Sequence, residues 1–410
     1  MKGMKWLKQR VTLIDSLRGF SLFGILIANL LIFQYGMFGK ENMEFFDVSP
    51  LDRWAYIGTK IFVESSFLPI FMFLFGYSLI LLKEKLENRD KKVKRHLVRR
   101  FLLLVLFGLL HSFFVWEGDI LLAYGLFGFI MLLFLNRKKK TVLYWGIFFF
   151  VATSLLSFGQ IEETEEELMH QHAYVEKEME AYSKGSYIEV FQFRMSDEDP
   201  YGYDGWVYLF IIILVPFITI PMFLFGVYAA KSKWFTRPDE EKGLYRRFAF
   251  LFLPLGVLLK SMLFLFPDHF LSSGSYTFGA TFLAIGYIFA FALLHTTVKH
   301  NVFTALEMAG RLSLTNYLLQ SVICTTIFYG YGLGLYGKLG VLNGIVLGIG
   351  IFALQAAISY FYLKRWKMGP FEKVIRIGTY LTWKGAPKAK IAPAEKGQIS
   401  NPQTGPNEAV

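Results

Sequence analysis

His111, Glu64 and Asp119 are the side chains best placed to move a proton in this chain. An imidazole titrates near neutral pH, and a carboxylate beside it can orient the ring and steady its charge. His111 ends the apolar run RRFLLLVLFGLLHS, Asp119 closes the short segment WEGD just after it, and Glu64 lies inside a separate apolar run. A carboxylate alone in hydrocarbon takes up a proton rather than stay charged, so Glu64 is expected to pair with His111 or Lys260. These three are the candidate catalytic residues. The plainer reading of His111 is a neutral, packed hydrogen-bonding ring.

A second set has the types needed to hold a polar or anionic ligand. Asp15 and Arg18, at i and i+3, stand at the mouth of DSLRGFSLFGILIAN, which carries Asn29 among aliphatic neighbours. The segment GRLSLTNYLLQS supplies Arg311, Ser313, Asn316 and Gln320. With Glu117, Tyr124 and Lys260, the candidate substrate-binding residues are Asp15, Arg18, Asn29, Glu117, Tyr124, Lys260, Arg311, Asn316 and Gln320. Polar groups at membrane depth are costly and are kept for structure or function. The structural alternatives are a helix-mouth salt bridge for Asp15 and Arg18, and inter-helix hydrogen bonds for Asn316 and Gln320.

These residues must be positioned by membrane helices. The 410-residue chain is 54% hydrophobic and 18% charged, against about 25% charged for a soluble domain. Apolar runs of spanning length recur from end to end without strand-like alternation, which predicts an all-α polytopic helix bundle. Ten spans are expected, at 17–35, 57–82, 97–116, 119–135, 142–158, 207–230, 248–266, 276–294, 313–329 and 339–363. The third and fourth form a tight hairpin. The first shows no small-residue cleavage site and is expected to be retained.

Of the 43 Lys and Arg residues, 35 fall in segments 1–18, 83–100, 136–141, 231–247, 295–313 and 364–410. That asymmetry predicts a multi-pass plasma-membrane protein with both termini cytoplasmic. The net charge of +11 is then a topology signal. KKVKRHLVRR and NRKKK, lying between spans, suit anionic lipid rather than nucleic acid. The expected partners are membrane lipids, a small-molecule or lipid ligand and a second copy of the chain. The single cysteine, Cys324, excludes a disulfide framework.

A membrane domain over 1–384 is expected, with an acidic external loop at 159–206 and a disordered polar tail at 385–410. The loop segment EETEEELMHQHAYVEKEMEAY reads as a short amphipathic helix. His170 and His172 within it, at i and i+2, do not share a helix face, so no metal site is predicted. Gly332, Gly334 and Gly337 match G-x-G-x-x-G, but between two spans they lack the strand and helix that a dinucleotide site requires. Gly340, Gly344 and Gly348 instead suit close helix packing.

MFLFG occurs at 72–76 and again at 222–226, each closely preceded by a proline. RRF, then GLLHS or GVLLKS, then LAYG or LAIG follow in the same order. This predicts a parallel repeat in which spans two to four match six to eight, with His111 and Lys260 at equivalent depths facing a shared interior.

IDSLRGFSLFGILIANL, HSFFVWEGDILLAYGLFG, AGRLSLTNYLLQSVICTTIFYGYGLGLYG and WKMGPFEKVIR resemble the YeiB family of bacterial membrane proteins, a domain-of-unknown-function family (418), over nearly the whole chain. The opening is also similar, more distantly, to the transmembrane acyltransferase superfamily. Arg10, Asp15, Leu17 and Arg18 match part of its R-x-x-x-L-D-x-L-R pattern. Asn29 stands where the bacterial O-acyltransferases carry a His. The heparan-α-glucosaminide N-acetyltransferase branch takes its His from the next outer loop, where residues 36–56 here have none. The resemblance implies transfer of an acyl group from cytoplasmic acyl-CoA to an external acceptor. His111 is then the substitute base, oriented by Glu64 or Asp119, with CoA near Arg18, Arg99, Arg100 and Arg311. Two other classes stay open. A transporter or lipid handler would use the proline-broken helices, Glu64 and Lys260. A non-catalytic partner or sensor would use the acidic loop.

Overall fold

A chain in hydrocarbon must satisfy its own N–H and C=O groups, so continuous Leu- and Phe-rich runs fold as helices. The computed structural model describes residues 2–89, 92–158, 164–196, 198, 200–201 and 205–385. Its helices are α1 (Lys2–Tyr35), α2 (Pro50–Phe62), α3 (Phe67–Glu87), α4 (Val93–Phe114), α5 (Leu121–Met131), α6 (Lys139–Leu155), α7 (Glu165–Lys184) and α8 (Tyr187–Arg194). They continue as α9 (Gly205–Lys231), α10 (Lys242–Leu265), α11 (Ser272–Thr297), α12 (Thr304–Arg311), α13 (Ser313–Phe328), α14 (Val341–Arg365) and α15 (Pro370–Tyr380). No strand occurs among the described residues. Six stretches among them are long and apolar enough to cross a membrane: Thr12–Tyr35, Pro50–Glu87, Val93–Phe114, Lys242–Leu265, Ser272–Thr297 and Val341–Arg365. The protein is a polytopic helical membrane protein. The tail at 386–410 lies outside the described residues.

Several segments differ from expectation: α12 and α15 lie outside the ten expected spans, and α5 is shorter than 119–135. The apolar interval 57–82 is two helices: α2 starts early, on Pro50 with a Ser49 cap, and the chain breaks at Val63–Ser66 with Ser65 at φ 58°. In the acidic loop the expected helix is α7, and a second helix, α8, follows it. Thr164 and Glu167, then Ser186 and Glu189, form reciprocal capping boxes that start α7 and α8. These T-x-x-E and S-x-x-E spacings satisfy otherwise orphaned N–H groups.

Glycines set the close crossings. A Cβ on Gly19 would strike the Leu306 carbonyl, and one on Gly310 the Asp15 carbonyl, so α1 and α12 meet backbone to backbone. This contact brings Arg18 and Arg311 to one end of the bundle. Gly344 and Gly348 seat α14 on Gln34, Leu30 and Ile27 of α1, whereas Gly340 is a left-handed residue (φ 81°) before α14, beside the Asp52 carboxylate.

The repeated motifs pack alike. In α3 and α9 the contact is reciprocal: Gly76 lies on the Phe223 carbonyl and Gly226 on that of Phe73. In the α4–α5 hairpin Gly108 lies on the Leu122 backbone and Gly125 on Val105 N. In the α10–α11 hairpin Gly256 lies on the Leu283 backbone and Gly286 on Leu253 N. Helix α5 packs on α9, and α11 on α3. The contacts thus fall at corresponding positions of the repeated motifs.

Replacing Gly310→Val forces α12 off α1. Overpacking of this kind costs about 1–3 kcal/mol. The detergent-solubilised variant should melt at a clearly lower temperature than the wild type. An unchanged melting curve would mean that this crossing is not tight.

Candidate functional site

Helices α1, α3, α4, α5, α13 and α15 enclose a cavity of about 590 Å³, within the range of ~300–1,000 Å³ usual for small-ligand sites. Its mouth carries Arg18, Lys85, Arg89, Arg100, Arg311, Lys367 and Arg376 against only Asp15 and Glu372. Both carboxylates are already engaged. Asp15 Oδ1 is 2.6 Å from Arg18, whose other guanidinium nitrogen donates to Ser78 Oγ at 3.0 Å. Glu372 accepts from Leu314 N, Thr315 N and Thr315 Oγ1 at 2.9, 3.1 and 2.6 Å, capping the start of α13. Among the described residues Lys85, Arg89, Arg100, Lys367 and Arg376 make no ion pair, and Arg311 touches only Met308 Sδ at 3.7 Å. Such a ring of free cations suits a polyanionic group.

From this mouth the cavity follows α3 from Lys85 to Phe71. Fourteen residues of helix rise ~21 Å, about two-thirds of the ~30 Å hydrocarbon core. Leu22, Ile25, Leu74, Leu79 and Leu104 wall it, and Ile120, Leu121, Tyr124 and Tyr317 close the far end. The Tyr124 ring is held between Phe71 and Phe75, each with centroids 5.4 Å away, and Phe223 at 5.7 Å. Its hydroxyl is buried without a hydrogen-bond partner.

Tyr317 joins this end to the proton-transfer pair. Its hydroxyl accepts from Ile120 N at 3.1 Å, and its ring centroid is 5.5 Å from that of His111. His111 Nδ1 lies 2.8 Å from Asp119 Oδ1, and Asp119 Oδ2 accepts from Leu122 N at 2.8 Å. Both side chains are at most 3% exposed. An ionised carboxylate can only accept, so Nδ1 carries the proton, and in the neutral ring Nε2 then presents its lone pair. Nε2 has no partner. A His oriented by Asp in this way is arranged as a general base. The α4–α5 turn that makes the pair is held by Trp116, packed against Phe33 of α1 with ring centroids 4.2 Å apart.

Glu64 does not join this pair. Its carboxylate sits at the α2–α3 break, 2.5 Å from Lys40 and 2.8 Å from Lys60. Lys260 is fully buried and donates to the Glu64 backbone carbonyl and to Ser66 Oγ, so the expected carboxylate–ammonium pair of Glu64 with Lys260 is replaced. The ammonium caps the carbonyl end of a broken helix, where the dipole is negative. Glu41, in the preceding loop, is exposed, and Lys40 and Lys60 hold its carboxyl down to about 2. His111 and Lys260 occupy matched hairpins yet face different neighbours, so the shared interior expected for them is not formed.

Other expectations are redistributed. Asn316 donates to Ala309 O and Ser359 Oγ, and Gln320 to Gln355 Oε1, tying α13 to α12 and α14 rather than lining the cavity. Asn29 is half-buried, lies outside the cavity and makes no hydrogen bond among the described residues. Gly334 and Gly337 take positive φ in the turn between α13 and α14, with no strand before them. Lys85, Arg89, Tyr317 and the α15 residues Glu372 and Arg376 were not singled out by type or spacing. Only the basic excess of 364–410 and the motif WKMGPFEKVIR pointed toward α15.

Helices α7 and α8 cover the far end of α4. Tyr187 OH donates to Phe114 O at 2.6 Å, Arg194 to Phe113 O at 3.2 Å and Glu117 at 3.3 Å, and Tyr182 OH to Glu117 at 3.0 Å. Glu117 therefore fastens a cap. Glu178 of α7 occupies the space above Gly36 that any side chain there would fill, beside the Tyr336 hydroxyl. Burial first, and then the Glu117 charge, push its carboxyl up to about 8.

Comparison with known proteins agrees across the chain. Residues 229–382 match the family described as "Protein of unknown function (DUF418)". The chain is 34% identical over 397 residues to "Uncharacterized protein YxaH" of Bacillus subtilis, covering 93% of this chain and 98% of that protein. It is 27% identical over 389 residues to "Uncharacterized protein YeiB" of Escherichia coli, covering 89% and 94%.

Docked α7 raises the Glu178 pKa, so the docked cap binds that proton more tightly than the undocked one. Docking is therefore fully supported below pH 4.5, the ordinary value, and weakens as pH rises through about 8. Amide exchange over 165–184, corrected for intrinsic rate, should quicken between pH 6 and 9, and Glu178→Gln should flatten that dependence. Equal wild-type protection at both pH values would rule this out.

Proposed function

The chain belongs to the DUF418 family of YeiB-type membrane proteins, and from that premise we propose that it transfers an acyl group from acyl-CoA to an acceptor across the membrane. The observation that carries this reading is the cavity, which runs from unpaired cations to the tyrosine in contact with His111. With the Lys- and Arg-rich end taken as cytoplasmic, the phosphates of CoA meet Arg100, Arg311, Lys367 and Arg376, and the pantetheine arm follows the apolar walls to Tyr124 and Tyr317. An acceptor hydroxyl or amine arrives from the side covered by α7 and α8. Its oxygen or nitrogen attacks the thioester carbon as His111 Nε2 takes its proton. The C–S bond then breaks, and the CoA thiolate leaves with that proton. Asp119 steadies the imidazolium in between.

A second reading, movement of an anionic amphiphile, is favoured by the helix break at Val63–Ser66 and its Lys260 cap. Flux of such a lipid in liposomes that survives His111→Ala would select it.

Purified protein in nanodiscs should bind radiolabelled acetyl-CoA saturably, and the double substitution of Arg100→Ala and Arg311→Ala should weaken binding at least ~10-fold, the equivalent of about 1.4 kcal/mol. Thioester turnover should fall ~10²–10⁴-fold in His111→Ala. Wild-type protein that neither binds nor turns over acyl-CoA ends the proposal.

A further inference from the structure

Buried tyrosine hydroxyls normally find a partner, because leaving one unmade costs its full desolvation. Tyr124 is 2% exposed, its hydroxyl has no partner, and it lines the closed end of the cavity. Its ring cannot turn away, being held among Phe71, Phe75 and Phe223. Tyr317, the other hydroxyl at this end, accepts the Ile120 N–H and donates to the Asp119 carboxylate. The unmet donor in this part of the cavity is therefore Tyr124, and its natural complement is a ligand atom that accepts and has no other donor.

We propose that the Tyr124 hydroxyl binds the carbonyl oxygen of the thioester and holds the oxyanion formed from it. The inference rests on the acyl-transfer reading and names the group that stabilises its intermediate. As the acceptor's oxygen or nitrogen bonds to the carbonyl carbon, the C=O π pair moves onto that oxygen. Tyr124 keeps its proton and donates a hydrogen bond to the new negative charge. When the oxyanion collapses, the pair returns to C=O, the C–S bond breaks, and the thiolate takes up the proton carried by His111. A donor fixed by packing before the charge develops needs no reorganisation at the moment of reaction, which is why one such donor is worth ~10²–10³ in rate.

The test uses full-length protein in nanodiscs with acetyl-CoA labelled with ¹³C at the carbonyl, read by infrared difference spectroscopy. The wild type should shift the thioester carbonyl band to lower wavenumber than in solution. Tyr124→Phe, which keeps the ring, should return the band towards its solution position and lower turnover ~10²–10³-fold. It should leave affinity for free CoA, which has no acyl group, within about twofold and the melting temperature unchanged. Tyr317→Phe should keep the shifted band. An unshifted wild-type band, or a band and rate unaltered in Tyr124→Phe, overturns this assignment and leaves acyl transfer standing. No binding of acetyl-CoA by the wild type overturns both.

Discussion

A charge withdrawn from water must be paired, capped or left facing a space that a polar group can enter. This constraint sorts the ionisable residues of the protein into those that build it and those left for a ligand. Glu64, Lys40, Lys60 and Glu41 neutralise one another at the helix break. Lys260 is spent on the carbonyl and hydroxyl at the same break. Glu117 and Arg194 fasten the cap. At the cavity mouth the balance fails: seven cations face two carboxylates, one committed to Arg18 and the other to the start of α13.

Packing determines that this imbalance occurs at the end of a long apolar passage. Glycine crossings let α1 meet α12 and α14, and the crossing of α3 with α9 sets the two hairpins on either side. The same backbone contact recurs in both hairpins, yet their polar residues differ. One copy carries a His beside an Asp that caps the next helix. The other carries a Lys that reaches a broken helix. The two hairpins thus offer one proton-transfer pair and one structural clamp, because the break before α3 reaches Lys260 whereas α13 reaches His111.

The helical architecture was legible because hydrocarbon leaves a chain few alternatives, and continuous apolar runs report it directly. MFLFG and the segments that follow it pointed to the helices that meet in matched glycine crossings. Asp119 was legible as one of two candidate partners of His111, the other being Glu64, and the eight-residue separation across a tight turn is what selects it. Glu64 was misjudged because depth along a span says nothing about which face a side chain takes. The break at Ser65, invisible in the hydropathy, turned it towards Lys40 and Lys60. Asn316 and Gln320 bond to α14, which is distant in sequence, so only packing could assign them.

By itself, the sequence determined the class of protein, most of its helices, its family and Asp119 as one of two candidate partners of His111, because these follow from hydropathy, local spacing and shared motifs. The tertiary structure alone decided that α15 supplies part of the basic mouth, that Tyr317 joins the cavity to His111 and that Tyr124 faces it without a partner. These facts depend on which helices become neighbours. That choice is made by backbone contacts between residues far apart in the chain, and no local pattern records it.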